Sequence, residues 1–212
     1  YFSKKFLEHT KVWEHLESNS NSPYNNIEIY QKDSKTLSFN AKDINIDYLG
    51  YIINEDDLVN AVTKAITINK NLNFNTKKDC SDDLHIDTNI ISDYKDVSPE
   101  IQSKIYASKS YNQTAININI IHQNSNNNTP KQIFYNNEIL GFLPVNSNCY
   151  NLIWSMPNDL FEKISHEKKD KYKVLIEDRA KHILGDIQEI IIGKSFPLSA
   201  RHADKYFYKN NL

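Results

Sequence analysis

Two apolar runs separated by a short polar segment limit how this chain can fold more than any other feature. Residues 139–145 and Cys149–Pro157 are rich in branched and aromatic side chains, and the polar residues 146–148 lie between them. This pattern predicts a β-hairpin. The proline at position 157 predicts that the second strand stops there, because proline cannot continue a central strand.

Residues 114–120 alternate strictly between apolar and polar side chains. Ile116, Ile118 and Ile120 fall on one face, and Asn117 and Asn119 fall on the other. Such alternation is typical of a half-buried antiparallel strand. Together with a strand at 131–135 and the hairpin, it predicts a sheet of about four strands over residues 113–157.

Helical and extended patterns alternate in the rest of the chain and predict an α+β fold. Helices are predicted at residues 2–18, 55–69 capped by Asn54, a segment capped by Asn158, and 170–184 ended by Gly185. Further strands are predicted at 27–30, 36–39, 49–53, 72–76, 84–87, 88–92, 187–192, 195–198 and 205–208. The pattern of predicted elements changes between the two halves of the chain. This change predicts two lobes, residues 1–93 and 113–212, joined by a crossover at 94–112.

Composition excludes several classes of protein. The net charge is −2, from 25 basic and 27 acidic side chains, and without a block of like charge it predicts no nucleic-acid partner. Cys80 and Cys149 lack CxxC spacing, which favours reduced thiols in a reducing compartment. No apolar run approaches the roughly 18–20 residues of a spanning helix, and the amino end does not resemble a signal peptide. We therefore expect a soluble protein, at most peripheral to a membrane.

Motifs that carry their own chemistry are missing from the sequence. The glycines at 50, 141, 185 and 193 stand alone, so there is no GxGxxG loop, and no serine lies in a GxSxG motif. The seven histidines lack the spacing of a zinc site. The acidic residues 55–57 fall in a predicted first helical turn, where they complement the helix dipole. The sequence predicts no catalytic residue and no metal site, so an enzyme of this sequence would depend on a cofactor.

A set of short segments, taken in order, resembles one family. The matching segments are Trp13, 23–24, 49–53, 90–93, 142–144, 152–154, Pro157 and 196–198, the last reading Phe-Pro-Leu. In this order the chain resembles the FAD-dependent aromatic hydroxylases of ubiquinone biosynthesis, relatives of para-hydroxybenzoate hydroxylase. The resemblance implies part of a flavin-monooxygenase fold, with a mixed α/β lobe and an antiparallel substrate-binding sheet covered by helices.

The resemblance also implies an activity. Members use FAD, with NAD(P)H as reductant, to hydroxylate the aromatic ring of a polyprenyl phenol. They carry a GxGxxG unit before the matching region and a glycine-aspartate motif after it, so this chain resembles the middle portion, as a fragment or a decayed copy. Alone it is not expected to be active or to hold FAD tightly. The implied partners are the polyprenyl phenol and a quinone-synthesis protein complex, and the implied location is cytoplasmic, peripheral to the inner membrane.

The resemblance transfers a few site residues. Asn54 and Asp93 correspond to flavin contacts, although Asn54-Glu55 stands where the family has Glu-Asn, and Ser92-Asp93-Tyr94 where it has Ala-Asp-Gly. Asn151, Ile153 and Phe196 correspond to the substrate pocket, and an apolar Ile153 suits a lipid-tailed phenol better than a small carboxylate. The alternatives are a strand-end turn for Asp93 and simple core positions for Ile153 and Phe196.

Two other functions remain open at this point. One is a cofactor-free homologue that acts as an interaction or lipid-binding subunit in a quinone-synthesis assembly. The other is a flavin hydroxylase of the same fold that acts on another aromatic substrate. The ring position that would be hydroxylated does not follow from the sequence.

Overall fold

The computed structural model describes residues 2–17, 21–71, 106–122 and 128–203. The chain divides into two compact units, Tyr1–Asn73 with Gln113–Pro197, and Phe74–Asn112 with Leu198–Leu212. The strands predicted at 72–92 and 205–208, and most of the crossover at 94–112, lie outside the described residues. The division into lobes at 1–93 and 113–212 therefore stays a prediction.

The described ranges contain four α-helices and nine strands. The α-helices are Phe2–His9 (α1), Glu55–Ile68 (α2), Asn158–Ser165 (α3) and Lys169–Leu184 (α4). The strands are Asn21–Tyr24 (β1), Asn26–Gln31 (β2), Ser34–Asn40 (β3), Gly50–Ile53 (β4), Tyr106–His122 (β5), Lys131–Tyr135 (β6), Glu138–Asn146 (β7), Cys149–Pro157 (β8) and Ile187–Ala203 (β9). No helix of the described ranges is long and apolar enough to cross a membrane.

The main sheet has seven strands in the order β3-β2-β6-β7-β8-β5-β9, and β1 pairs with β4 separately. The predicted hairpin is confirmed as β7 and β8, which pair antiparallel from Ile139 opposite Ser155 to Asn146 opposite Cys149. The four strands predicted over residues 113–157 are confirmed as β5, β6, β7 and β8, and the sheet extends beyond them. The hairpin β2–β3 from the first half of the chain joins the same sheet through a parallel pairing of β2 with β6.

Asparagines shape the tight turns of this sheet. Asn136 follows β6 with a φ of 54°, a left-handed conformation that asparagine tolerates better than most residues. In the β7–β8 turn, the side-chain oxygen of Asn146 accepts a hydrogen bond from the backbone N–H of Asn148 at 3.1 Å. Asn136 and Asn146 thus have a local structural role in the two hairpins.

One face of the sheet carries the core. Burial alternates along β7 and β8, and the buried side chains pack against α3 and α4. Complete burial of a single large apolar side chain contributes about 1.5–3 kcal/mol. The largest fully buried side chains are Trp154, Tyr150, Phe142, Ile118, Ile120, Ile133, Leu140, Leu152, Met156, Ile176, Leu184 and Ile190.

The helix ends agree only in part with the sequence predictions. Asn54 caps α2 as predicted, and Gly185 follows α4 with a φ of 68°. The predicted cap at Asn158 was wrong, because Asn158 is the first residue of α3 and its side-chain oxygen accepts a hydrogen bond from the Thr114 hydroxyl at 2.9 Å. The helix predicted over residues 2–18 is present as α1, but its predicted end was wrong. It ends at His9, because Lys11 adopts a left-handed φ of 61°, and a short 3₁₀ turn, Trp13–His15, follows.

The two strands predicted at 187–192 and 195–198 form the single strand β9. Pro197 lies within it, at the edge of the sheet beside β5. An edge position tolerates proline, because its missing N–H can face away from the neighbouring strand.

Candidate substrate-binding face

The side of the sheet opposite α3 and α4 is here called the open face. Its central part consists of half-buried side chains on β7, β8 and β5, which alternate with the core residues. None of these open-face positions carries a charged side chain. They are Ile139, Gly141, Leu143 and Val145 on β7, Cys149, Asn151, Ile153 and Ser155 on β8, and Gln113, Asn117, Asn119 and Ile121 on β5.

Three asparagines are linked by hydrogen bonds on the open face. The side-chain nitrogen of Asn151 donates to the side-chain oxygens of Asn117 at 2.8 Å and Asn119 at 2.7 Å. The amide nitrogen of Asn117 returns a long hydrogen bond of 3.5 Å to the oxygen of Asn151. Pairing brings them together, because Asn119 lies directly opposite Asn151 across the antiparallel strands β5 and β8. We call this group the asparagine triad.

Two glycines lie beside the residues Ile153 and Asn117 on the open face. Ile153 lies between Gly141 on β7 and Asn117 on β5. Gly193 of β9 lies on the other side of Asn117, where an added Cβ would be 3.1 Å from the Asn117 backbone oxygen and 3.5 Å from its side-chain oxygen. Glycine is therefore the residue that allows β9 to approach the amide of Asn117 so closely.

The structure brings two of the predicted substrate residues together and separates the third. Asn151 and Ile153 are neighbours on the open face of β8. Phe196 lies on β9 with 43% of its surface exposed. It is three residues beyond Gly193, so regular strand alternation directs its side chain to the opposite side of the sheet.

The described structure gives little support to the two predicted flavin contacts, Asn54 and Asp93. Asn54 is exposed, and its side-chain oxygen accepts the backbone N–H of Asp56 at 2.9 Å to cap α2. Three carboxylates, Glu55, Asp56 and Asp57, occupy the first turn of that helix. Asp93 lies outside the described residues. Within the described ranges, no group of three or more His, Cys, Asp or Glu side chains could hold a metal ion.

A buried ion pair on the helix-covered face was not predicted from the sequence. Arg179 of α4 donates from Nε and Nη2 to the two carboxylate oxygens of Glu138 at 2.9 and 3.0 Å. The indole Nε1 of Trp154 donates to the same carboxylate at 2.9 Å. Glu138 and Arg179 are only 5% and 8% exposed, so this network is structural and does not reach the open face.

A second buried polar cluster lies at the end of β5. His122 is 2% exposed, and neither of its ring nitrogens has a hydrogen-bond partner among the residues that the structure describes. Its ring stacks on Tyr150 with centroids 5.1 Å apart. The ammonium of Lys131, also buried, donates to the Tyr150 hydroxyl at 3.5 Å. Burial and the nearby positive charge of Lys131 lower the pKa of His122, because both disfavour the charged imidazolium.

His122 is expected to make stability depend on pH. Above the ordinary histidine pKa of about 6.5, His122 is neutral in both the folded and the unfolded chain. Below it, the unfolded chain takes up a proton that the folded chain resists, because the folded pKa is lowered. The free energy of unfolding therefore falls as the pH decreases, until the lowered pKa is reached.

The variant His122→Phe keeps the stacking on Tyr150 and removes two unpartnered buried nitrogens. We expect it to raise the free energy of unfolding at pH 7 by about 1 kcal/mol and to reduce its decline between pH 7 and pH 5. Urea unfolding at several pH values measures both effects. His166→Asn, at an exposed site, is the matched control. An unchanged pH dependence in His122→Phe would contradict the prediction.

Comparison with solved structures supports the fold assignment, whereas comparison of sequences adds nothing to it. No protein-family profile matches the chain, and no curated protein matches it. Among solved structures, the fold is similar to that of PqsL, a probable FAD-dependent monooxygenase from Pseudomonas aeruginosa, with a TM-score of 0.69 and 12% identity over 98% of this chain. It is also similar to a flavoprotein/dehydrogenase from Cytophaga hutchinsonii, with a TM-score of 0.67 and 8% identity over 99% of the chain. The flavin-dependent halogenase CmlS gives a TM-score of 0.64 and 9% identity over 97% of the chain.

These likenesses show that the chain has part of a flavin-monooxygenase fold, as the sequence predicted. The chain spans 64% of PqsL, 58% of the Cytophaga protein and 43% of CmlS. At identities this low, the likeness concerns the fold alone.

Proposed function

We propose that this chain is the substrate-binding portion of an FAD-dependent monooxygenase that hydroxylates the aromatic ring of a polyprenyl phenol in ubiquinone biosynthesis. The observation that carries the proposal is the fold, which is similar to flavin-dependent monooxygenases and halogenases over nearly the whole chain. NAD(P)H would reduce the flavin, as the sequence resemblance implies.

The open face favours an uncharged, apolar ring over a small carboxylate. Ile153 and Leu143 are apolar, and the positions around them carry no cation to pair with a carboxylate. A desolvated carboxylate without such a partner would be costly to bind. A polyprenyl phenol offers both an apolar ring and a long apolar tail.

The described residues do not by themselves make a convincing flavin site. The helix start at Asn54 carries three carboxylates in its first turn, and these would repel the diphosphate of FAD, although a helix amino terminus otherwise attracts phosphate. The flavin would therefore be held mainly by residues outside the described ranges. When bound, FAD would supply the oxygen-transfer chemistry.

The role proposed for this chain's own residues is positional. The asparagine triad and Ile153 would orient the ring, since a fixed orientation is a large part of rate acceleration. The sheet and the helices behind it would keep water from the reacting ring. Association with other quinone-synthesis proteins at the inner membrane is part of the same proposal.

Disruption of the gene tests the proposal. We expect an under-hydroxylated quinone precursor to accumulate, and the native chain in its full protein to restore the quinone. Ile153→Lys should fail to restore it, because a charge would be buried where the ring is proposed to lie. Val174→Lys, at an exposed position of α4, is the matched control. Normal quinone levels after disruption would contradict the proposal and favour another aromatic substrate.

A second function is favoured by the acidic helix start at Asn54. A homologue that has lost its cofactor could keep the fold as an interaction or lipid-binding subunit of a quinone-synthesis assembly. The flavin content of the assembly purified through this chain separates the two functions. One flavin per chain supports the hydroxylase, and a flavin-free chain in an active assembly supports the subunit.

A further inference from the structure

We propose that the asparagine triad, Asn117, Asn119 and Asn151, binds an uncharged oxygen acceptor on the substrate ring, such as a carbonyl or phenol oxygen. This inference rests on the proposed function for the identity of the substrate side of the sheet. It adds the chemical group that is recognised and the residues that recognise it.

The hydrogen bonds within the triad leave donors unused. Both N–H groups of the Asn151 side chain donate to the side-chain oxygens of its two neighbours. One N–H group of Asn117 donates to Asn151 in a long hydrogen bond of 3.5 Å. Within the described ranges, the other N–H of Asn117 and both N–H groups of Asn119 have no hydrogen-bond partner. Each amide oxygen of the triad therefore already accepts one hydrogen bond, while three N–H donors are unused.

The side chains that carry these unused donors are half-buried, so a hydrogen bond to an acceptor on a ligand would stabilise the complex. Asn117, Asn119 and Asn151 are each partly shielded from solvent. A polar group that loses water without gaining a partner costs about 1–3 kcal/mol. An oxygen acceptor placed against Asn119 would satisfy the amide and recover that cost.

The surroundings of the triad specify a neutral acceptor. Leu143 pairs with Asn151 on one side, and Ile153 is the next open-face residue along β8. The buried cations Arg179 and Lys131 belong to the helix-covered face, where Arg179 is paired with Glu138 and Lys131 contacts Tyr150. A carboxylate at the triad would have amide donors and no cation, whereas a carbonyl or phenol oxygen needs no counter-charge.

The neighbouring glycines carry no side chain, which leaves space over the sheet for a ring. Gly141 and Gly193 lie at the two ends of the row that contains Ile153 and Asn117. An aromatic ring lying over Gly141 and Ile153 would direct a substituent oxygen along the sheet toward the asparagines.

The variant that tests this inference is Asn119→Asp. It is nearly isosteric and still accepts the hydrogen bond from Asn151, but it replaces both unused N–H donors by a carboxylate oxygen. Asn60→Asp makes the same chemical change at an exposed position of α2, away from the open face, and serves as the matched control. Circular dichroism of both variants establishes that they are folded.

The probes are 4-butylacetophenone, which carries only an acceptor oxygen, butylbenzene, which carries none, and 4-butylbenzoate, which is anionic. Isothermal titration calorimetry on the full chain should give the ketone an affinity about tenfold above that of butylbenzene. 4-Butylbenzoate should bind more weakly than the ketone. Asn119→Asp should remove the advantage of the ketone and leave butylbenzene unchanged, and Asn60→Asp should change neither.

Equal binding of the ketone and butylbenzene to the native chain would overturn the inference, and so would an unchanged ketone affinity in Asn119→Asp. The inference would also be overturned if none of the three probes bound to the native chain. These outcomes are separate from the proposed function. Normal quinone after gene disruption would overturn the function and leave a measured ketone preference standing.

Discussion

Replacing Arg179 by methionine is expected to lower the free energy of unfolding by about 3–5 kcal/mol. The guanidinium makes two hydrogen bonds of 2.9 and 3.0 Å to Glu138 and a third, of 3.0 Å, to the backbone oxygen of Leu175. Its removal leaves the carboxylate of Glu138 buried without its cation. Urea unfolding followed by circular dichroism measures the change.

The controls separate the ion pair from the loss of a long side chain. Lys181→Met removes an exposed cation from the same helix and should change stability by less than about 0.5 kcal/mol. The double variant Glu138→Met with Arg179→Met should recover part of the loss, because no charge is then left unpaired. Full recovery is not expected, since Trp154 also donates to Glu138. A loss below about 1 kcal/mol in Arg179→Met would contradict the prediction.

Replacing Trp154 by alanine is expected to cost about 3–5 kcal/mol. Trp154 is fully buried between the sheet and α4, and the guanidinium of Arg179 lies 5.3 Å from its ring. The substitution leaves a large cavity and also removes the 2.9 Å hydrogen bond from Nε1 to Glu138. The free energy of unfolding, again from urea titration followed by circular dichroism, measures the loss.

Two further variants divide this loss into packing and hydrogen bonding. Trp154→Phe retains most of the ring volume and loses the donor, so it should cost less than Trp154→Ala. Trp13→Phe, at the partly exposed second tryptophan, is the matched control and should cost less than either. A Trp154→Ala protein that loses no more stability than Trp13→Phe would show that the core does not depend on this side chain.

Features that depend on neighbouring residues could be predicted from the sequence. Short stretches of sequence predicted the β7–β8 hairpin, the strand that contains residues 116–120 and the cap at Asn54. Alternation, turn residues and capping each act over only a few positions, so a short stretch is enough. Asn158 shows the limit of this reasoning. Its type and position suit a cap, but a hydrogen bond from Thr114, 44 residues earlier, engages its side chain instead.

Features that depend on distant pairings could not be predicted. The triad needs β5 to lie beside β8, which brings Asn119 opposite Asn151 over 32 residues of sequence. The parallel pairing of β2 with β6 joins segments still further apart. Alternation showed that Asn117 and Asn119 share a face, yet it gave no sign of their partner. The pairing between Glu138 and Arg179 was hidden for the same reason.

The Glu138–Arg179 pair has a consequence for strand alignment. Glu138 is the first residue of β7 and lies opposite Tyr135 across a two-residue turn. A shift of β7 by one residue would turn every side chain of the strand to the other face. The carboxylate would then point to the open face, while the guanidinium on α4 stayed buried and unpaired. The free-energy cost of this buried, unpaired guanidinium disfavours the shifted alignment. The ion pair on the helix-covered face therefore keeps Gly141 and Leu143 in place on the open face.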